Sequence, residues 1–445
     1  MRTEETGHAV VVGAGVAGML TAHVLGQRFS RVTVVERDAC PDGPPAFRAG
    51  VPQSRHVHVL WSRGLTALEH LLPGVVADLE AAGGTVIEAP AHMRWLSAAD
   101  WFSGVRGSHY LSISRERLEA TLRGRILARP TITLTDRHEV TGLVAGRSAG
   151  RVGGVRLRER GKGGQESTAR AGLVVVAAGR GSRSGQWLSE LGYRAPVTER
   201  IDAHLGYASR YYRRPPAGAH RWKAVYVQGN PDVPRGGVLV PVDGERWLVT
   251  LIGQGDQQPP VEADAWLAFA ASLRSPELAQ ALTGTEPLSD PVAFRATANE
   301  WTHFERAERW PSGLLVVGDA LCRFNPVYGH GMTVAALQAQ TIARRISSQE
   351  PEGAAARAAE LQKAVAKCLR AAWAIATGED SRYPSTDGPA PNRLDRMQQR
   401  YLARVLAAAN TDPVVSEAFF AVLSLNRRPE TLLTPRIMAR VSRRR

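Results

Sequence analysis

Nine residues constrain this chain more than any others: Val10-Val-Val-Gly-Ala-Gly-Val-Ala-Gly18. A short run of β-branched apolar residues suits a parallel strand buried on both faces. Gly13, Gly15 and Gly18 then fit G-x-G-x-x-G at a strand-to-helix turn. Gly13 permits the tight turn, Gly15 lets backbone approach a pyrophosphate, and Gly18 lets the helix pack closely on the sheet. The helix that follows presents unpaired N–H groups and a positive dipole end to phosphates. Val32–Val35 reads as the next strand, with Glu36 at its end. A carboxylate there accepts hydrogen bonds from ribose hydroxyls and repels a 2′-phosphate, which suits FAD or NAD better than NADP. Only one such unit is present. A resident second dinucleotide would need another.

Residues 314–333 carry a second signal: Leu-Leu-Val-Val-Gly-Asp-Ala-Leu-Cys-Arg-Phe-Asn-Pro-Val-Tyr-Gly-His-Gly-Met-Thr. A buried strand delivers Gly318 and Asp319 to its C-terminal end, where ligands bind in α/β sheets. Gly329 and Gly331 open a helix at Met332, a second N-terminus able to accept an anion. Two separated contact points of this kind are what an extended dinucleotide requires.

A chain of 445 residues predicts two or three domains. Residues 38–56 are rich in Pro, Gly and Arg and read as a long, functional loop. Ser114 starts a helical pattern with Leu118, Leu122 and Ile126 on one face. Between about 195 and 300 the pattern changes. Tyr207–Tyr212, Trp222–Gln228, Val238–Val242 and Trp247–Ile252 alternate like strands, an Asp243-Gly244 turn marks a hairpin, and Ala263–Leu273 reads as a helix. The last part is largely helical, broken at Pro384–Pro391.

The expected fold is therefore α/β. A Rossmann-like FAD-binding domain (1–194 and 301–350) holds an inserted, mostly antiparallel substrate sheet (195–300), and a helical C-terminal region (351–445) follows. On the inserted sheet Val238, Val240, Leu248 and Thr250 are the candidates to line a substrate cavity, because alternation allows only one face to do so.

Cys40, Cys322 and Cys368 are too few and too scattered for a zinc site or a disulfide framework, so no metal is expected and a reducing cytoplasm is the expected location. No apolar stretch is long enough to span a membrane, and no signal-peptide pattern opens the chain. The net charge is +14. Its arginines are spread along the chain without a nucleic-acid recognition module, and the basic tail 440–445 reads as solvated.

The three segments resemble the flavoprotein monooxygenases typified by p-hydroxybenzoate hydroxylase, over roughly residues 7–350. Gly50-Val-Pro-Gln-Ser-Arg-His-Val-His-Val-Leu60 and Phe324–Leu337 look most like the bacterial epoxidases of polyether polyketide pathways. The resemblance implies that Gly13, Gly15, Gly18 and Glu36 hold ADP, that Asp319 meets the ribityl chain, and that Gly329, Gly331 and Met332 lie at the flavin ring. Ala14, Ala17, Arg37, Arg55, Arg115 and Val140 complete the expected cofactor contacts. The family's usual Asp-Gly pair is Ala178-Gly179 here, and the Asp that precedes it in the epoxidase subgroup is Val176, so a carboxylate is missing at both places.

The chemistry so implied is monooxygenation through a flavin C4a-hydroperoxide, with the cofactor carrying the reaction and no catalytic side chain required. Arg55, His56 and His58 are candidate hydrogen-bond donors near the flavin. The expected partners are O₂ and a hydrophobic, polyketide- or terpenoid-like small molecule. Epoxidation is the first expectation. Aromatic hydroxylation, flavin-dependent halogenation, isoprenoid reduction and a non-catalytic FAD-binding role are the alternatives. The halogenases carry a Trp-x-Trp-x-Ile-Pro segment that this chain lacks.

Overall fold

A computed structural model describes residues 6–40, 45–103, 105–161, 164–216, 218–346 and 350–443. Residues 41–44 of the expected long loop and the last two residues of the basic tail lie outside the described residues.

The apolar runs assemble a five-stranded parallel sheet in the order Leu314–Val316, Leu173–Val176, His8–Val12, Arg31–Val35 and Ile132–Thr135. Three of its strands, Leu314–Val316, Leu173–Val176 and His8–Val12, are buried along their whole length, as near-continuous Val and Leu demand. Helices Val16–Leu25, Arg115–Leu127 and His330–Ile346 cover it. The first and last of these pack on each other. Ser114 caps its helix, its Oγ accepting the Arg117 N–H. A three-stranded antiparallel meander, His138–Ala145, Val152–Glu159 and Glu166–Arg170, lies beside the sheet.

A second, six-stranded sheet runs Val292–Phe294, Leu205–Arg213, Arg246–Gln254, Arg235–Val242, Ala224–Val227 and Met93–Leu96. Its hairpin turns at Asp243-Gly244-Glu245, with Gly244 and Glu245 both at positive φ. The last strand comes from outside the expected 195–300 insert and pairs in parallel with Ala224–Val227. One face of this sheet, through Leu239, Val249 and Leu251, packs on helices Ala263–Ala271 and Glu277–Leu282, where Trp266 is fully buried. The other face turns toward the parallel sheet and the C-terminal helices Arg370–Asp380, Arg393–Ala409, Pro413–Leu423 and Pro435–Ser442.

Candidate functional site

One cavity of about 720 Å³ joins the strand ends of the parallel sheet to the open face of the six-stranded sheet. Gly13, Gly15, Ala17, Glu36, Arg37, Arg115 and Val140 border it, as do Asp319, Gly329, Gly331 and Met332.

The three glycines of the first turn have different jobs. Gly13 has φ +104°, and a Cβ there would come within 2.5 Å of the Ala177 carbonyl oxygen. A Cβ on Gly18 would collide with the Gly13 carbonyl. Gly15 has ordinary extended backbone (φ −74°, ψ 178°) and heads helix Val16–Leu25. No atom lies within 4 Å of where its Cβ would stand. Gly13 and Gly18 are thus small for the fold, and Gly15 keeps open space at a helix N-terminus.

Glu36 is buried. Its carboxylate accepts the Ala14 N–H at 2.8 Å and the Asp38 N–H at 3.0 Å, so Ala14 acts through its backbone beneath the cavity wall. Arg48 stands 3.2 Å from Glu36 and 2.5 Å from Glu119, which also accepts from Arg115 at 2.8 Å. Burial alone would weaken the Arg48 charge; Glu119 and Glu36 more than reverse that and raise its pKa. Burial likewise opposes ionisation of Glu119, but Arg115 and Arg48 hold its pKa below the usual carboxylate value. An ionised carboxylate offers about four lone-pair sites, so Glu36 keeps capacity for a further donor such as a ribose hydroxyl.

Asp319 sits on the 3-10 turn Gly318–Ala320 at the end of its strand, facing the helix start at Gly331. The turn Gly179–Gly181 packs against it. Just after Ala178, where the resembled family carries a carboxylate, this turn brings Arg180 to the cavity wall. Burial lowers the Arg180 pKa against the pull of Asp319, and its Nε has no protein partner. The loop that follows is fixed from behind. Asn325 caps the turn Pro326–Tyr328, and Asp380, on a C-terminal helix, accepts from Asn299 at 2.6 Å, Asn325 at 3.1 Å and Tyr328 at 2.6 Å. Burial raises the Asp380 pKa to about 6 against those hydrogen bonds.

These residues fit FAD. Open space at Gly15 and at Gly179, two helix N-termini on one cavity, the spare capacity of Glu36 and the carboxylate of Asp319 match a phosphate- and hydroxyl-bearing dinucleotide.

Opposite this cradle, five residues stand in register across five strands: Ser209, Thr250, Val238, Tyr226 and Trp95. At ~4.8 Å per strand the row is roughly 19 Å long. Val238 and Thr250 border the cavity. Val240 and Leu248 share their face but not the cavity wall: both are fully buried, because the strand Ser108–Ser112 closes over that end of the sheet. Arg55 also departs from expectation. It is exposed on the turn Pro52–Arg55, its guanidinium 4.3 Å over the Phe47 ring and off the cavity wall.

His56 and His58 both border the cavity. The Val57 N–H donates to Thr250 Oγ1 at 3.0 Å, Thr250 and Ser209 hydroxyls meet at 2.6 Å, and Ser209 Oγ lies 2.7 Å from His56 Nδ1. With Nδ1 accepting from the Ser209 hydroxyl, the ring proton would stand on Nε2, which has no protein partner. Burial, helped by Arg55, lowers the His56 pKa to about 4.

A pH dependence follows. The unfolded chain binds a proton at His56 near pH 6.5 and the native chain only near 4, so this stability is complete above pH 6.5 and lost as the pH falls toward 4. Its size is about 3 kcal/mol. Asp380 acts oppositely, stabilising below about pH 3.8 and losing that contribution as the pH rises through 6. Urea unfolding of wild type and His56→Gln at pH 7 and pH 4 isolates the first term: the difference between the two proteins should shift by about 3 kcal/mol. A constant difference would show that His56 charges freely in the folded state.

Sequence reasoning missed Arg48, Trp95, Arg180 and Asp380. Arg48 and Arg180 are single arginines in an Arg-rich chain, while Trp95 and Asp380 reach the site only through tertiary pairing.

Residues 6–379 match the FAD binding domain family. Protein Rv3254 of Mycobacterium tuberculosis (strain ATCC 25618 / H37Rv) is 37% identical over 430 residues, covering 94% of this chain and 89% of that protein. Among solved structures, the flavin-dependent brominase Bmp2 aligns with a TM-score of 0.67 at 15% identity, over 98% of this chain and 100% of that one. The p-nitrophenol 4-monooxygenase PnpA from Pseudomonas putida DLL-E4 aligns with a TM-score of 0.66 at 15% identity, over 94% and 97%. At such identities the likeness is one of fold, whereas the family match spans most of the sequence: the chain belongs to the FAD binding domain family.

Proposed function

We propose that this protein is an FAD-dependent monooxygenase that transfers one oxygen atom of O₂ to a large apolar substrate, with alkene epoxidation as the reaction. The observation that carries the reading is the single cavity in which a dinucleotide cradle opens directly onto an apolar and aromatic chamber. In sum, alkene, O₂, NAD(P)H and a proton give epoxide, water and NAD(P)⁺. When bound, FAD supplies the activation of O₂, after reduction by NADH, NADPH or a separate flavin reductase.

The protein's part is binding. The Gly13–Gly18 turn and Glu36 hold the ADP half, Asp319 holds the ribityl hydroxyls, and Gly329, Gly331 and Met332 back the ring. Val238, Thr250, Tyr226 and Trp95 form the substrate floor, and residues of the C-terminal helices wall the opposite side of the chamber. His56 offers a neutral N–H donor beside that floor. The aromatic residues Trp95, Tyr110 and Tyr226, which border the cavity, support aromatic hydroxylation as the second reading.

Incubation with NAD(P)H or chemically reduced FAD under ¹⁸O₂ with candidate polyenes should give one ¹⁸O per product, as an epoxide or its derived diol or cyclic ether. The same incubation with candidate phenols, if it put label on an aromatic carbon, would favour the second reading. Saturation of the alkene, halogen incorporation or label only from water would overturn both. Asp319→Ala should weaken FAD by roughly tenfold or more, the effect of removing a partner worth about 1–3 kcal/mol. Fluorescence titration of the apoprotein with FAD checks this, and unchanged affinity would remove Asp319 from the cofactor site.

A further inference from the structure

The C-terminal helices carry a surface that the cofactor site does not use. Of the eleven large apolar side chains exposed among the described residues, five lie between 394 and 438: Leu394, Met397, Leu402, Leu433 and Met438. Leu402 is 46% exposed and also borders the cavity, as do exposed Gln398 and half-buried Pro429. The cavity wall and this apolar group thus meet at helix Arg393–Ala409 and the turn Pro429–Leu433.

The helix shows why the group is uncovered. Leu394, Tyr401 and Val405 follow one another at i, i+7 and i+11, on one face. Val405 is fully buried at the C-terminal end of that row, and Leu394 is 55% exposed at its start. The apolar row thus runs past the body of the protein. Arg393, Arg396, Arg400 and Arg404 form a second stripe at i, i+3, i+7 and i+11. Residues 393–443 hold nine arginines and four acidic residues, and one of the four, Asp412, is already paired with Arg440.

We propose that this surface docks the protein on an anionic lipid bilayer, with this end of the cavity facing the apolar phase. An apolar row flanked by a cationic stripe is the pattern of a helix lying in a membrane interface. A second copy of the chain is the poorer occupant, since it would set arginine against arginine. An acidic protein would match the charge but would not present an apolar phase to an apolar group that meets the cavity wall. Among the described residues no helix is long and apolar enough to cross a membrane, so the contact is peripheral. The role of the contact in substrate entry rests on the oxygenation reading; the contact itself does not.

The test uses the full FAD-loaded chain, without substrate, and sedimentation with vesicles of phosphatidylcholine alone or mixed with phosphatidylglycerol. The protein should pellet with mixed vesicles, stay in solution with phosphatidylcholine alone, and be released by high salt. Two variants, Leu394→Ser/Met397→Ser/Leu433→Ser and Arg393→Gln/Arg396→Gln/Arg400→Gln, should keep wild-type FAD content and circular dichroism. Each should lower the bound fraction about tenfold or more. No pelleting with mixed vesicles, or pelleting undiminished in both variants, would overturn the proposal. So would sedimentation velocity showing a dimer abolished by the Leu/Met variant, or salt-sensitive binding to soluble polyglutamate but not to vesicles. Because no turnover is read, this result and the ¹⁸O₂ result can fail independently.

Discussion

Gly15→Val should purify folded and colourless. Gly15 sits in extended backbone that any residue adopts, and the space its side chain would enter holds no protein atom. The substitution therefore fills room reserved for a ligand while leaving the fold alone. The cost to the apoprotein is at most about 1 kcal/mol, the range of an N-cap exchange. Gly18→Val is the control with the opposite outcome. Its Cβ meets the Gly13 carbonyl, so the turn cannot close and soluble protein should be lost. Flavin absorbance of purified protein and urea unfolding of the two apoproteins, wild type and Gly15→Val, read the two effects separately. A folded Gly15→Val that retains one FAD per chain would move the ADP half elsewhere in the cavity.

The contrast between these glycines shows how far the chain could be read in advance. The strand–turn–helix at 8–25 and the strand before Asp319 were legible because their signals are local: buried β-branched runs and glycines at fixed spacing. The same alternation marked the strands from 205 to 254 and put Val238 and Thr250 on one face. It could not say how far along that face the cavity extends, which is why Val240 and Leu248 lie under the strand Ser108–Ser112 instead. Nor could it recruit Met93–Leu96 to the same sheet, since parallel pairing across more than a hundred residues leaves no local trace. Asp380 was invisible for the same reason: nothing in helix Arg370–Asp380 announces that its last carboxylate will brace Asn325 and Tyr328.

A second large stability effect should come from a residue with no sequence signal at all. Arg48→Met should destabilise the protein by about 3–5 kcal/mol, the cost of stranding a buried charge by removing its partner. Arg48 lies between two buried carboxylates, Glu36 and Glu119, and only Arg115 remains to balance the pair once it is gone. Met fills similar volume, so the loss is electrostatic rather than a cavity. Arg48→Lys should recover only part of it, because a single ammonium lacks the planar fork that lets one guanidinium reach both carboxylates. Arg48→Met/Glu119→Gln removes one stranded charge along with the cation. It should be more stable than the sum of its single changes by about 0.5–3 kcal/mol, the range for residues in direct contact. The same change should weaken FAD, since Glu36 is then positioned only by the Ala14 and Asp38 amides. Urea unfolding of the five apoproteins (wild type, Arg48→Met, Arg48→Lys, Glu119→Gln and the double variant) and FAD titration of those that fold check both consequences. Strict additivity, or an Arg48→Met as stable as wild type, would mean that the two carboxylates are solvated in the folded chain and that the network does not organise the ribose end of the site.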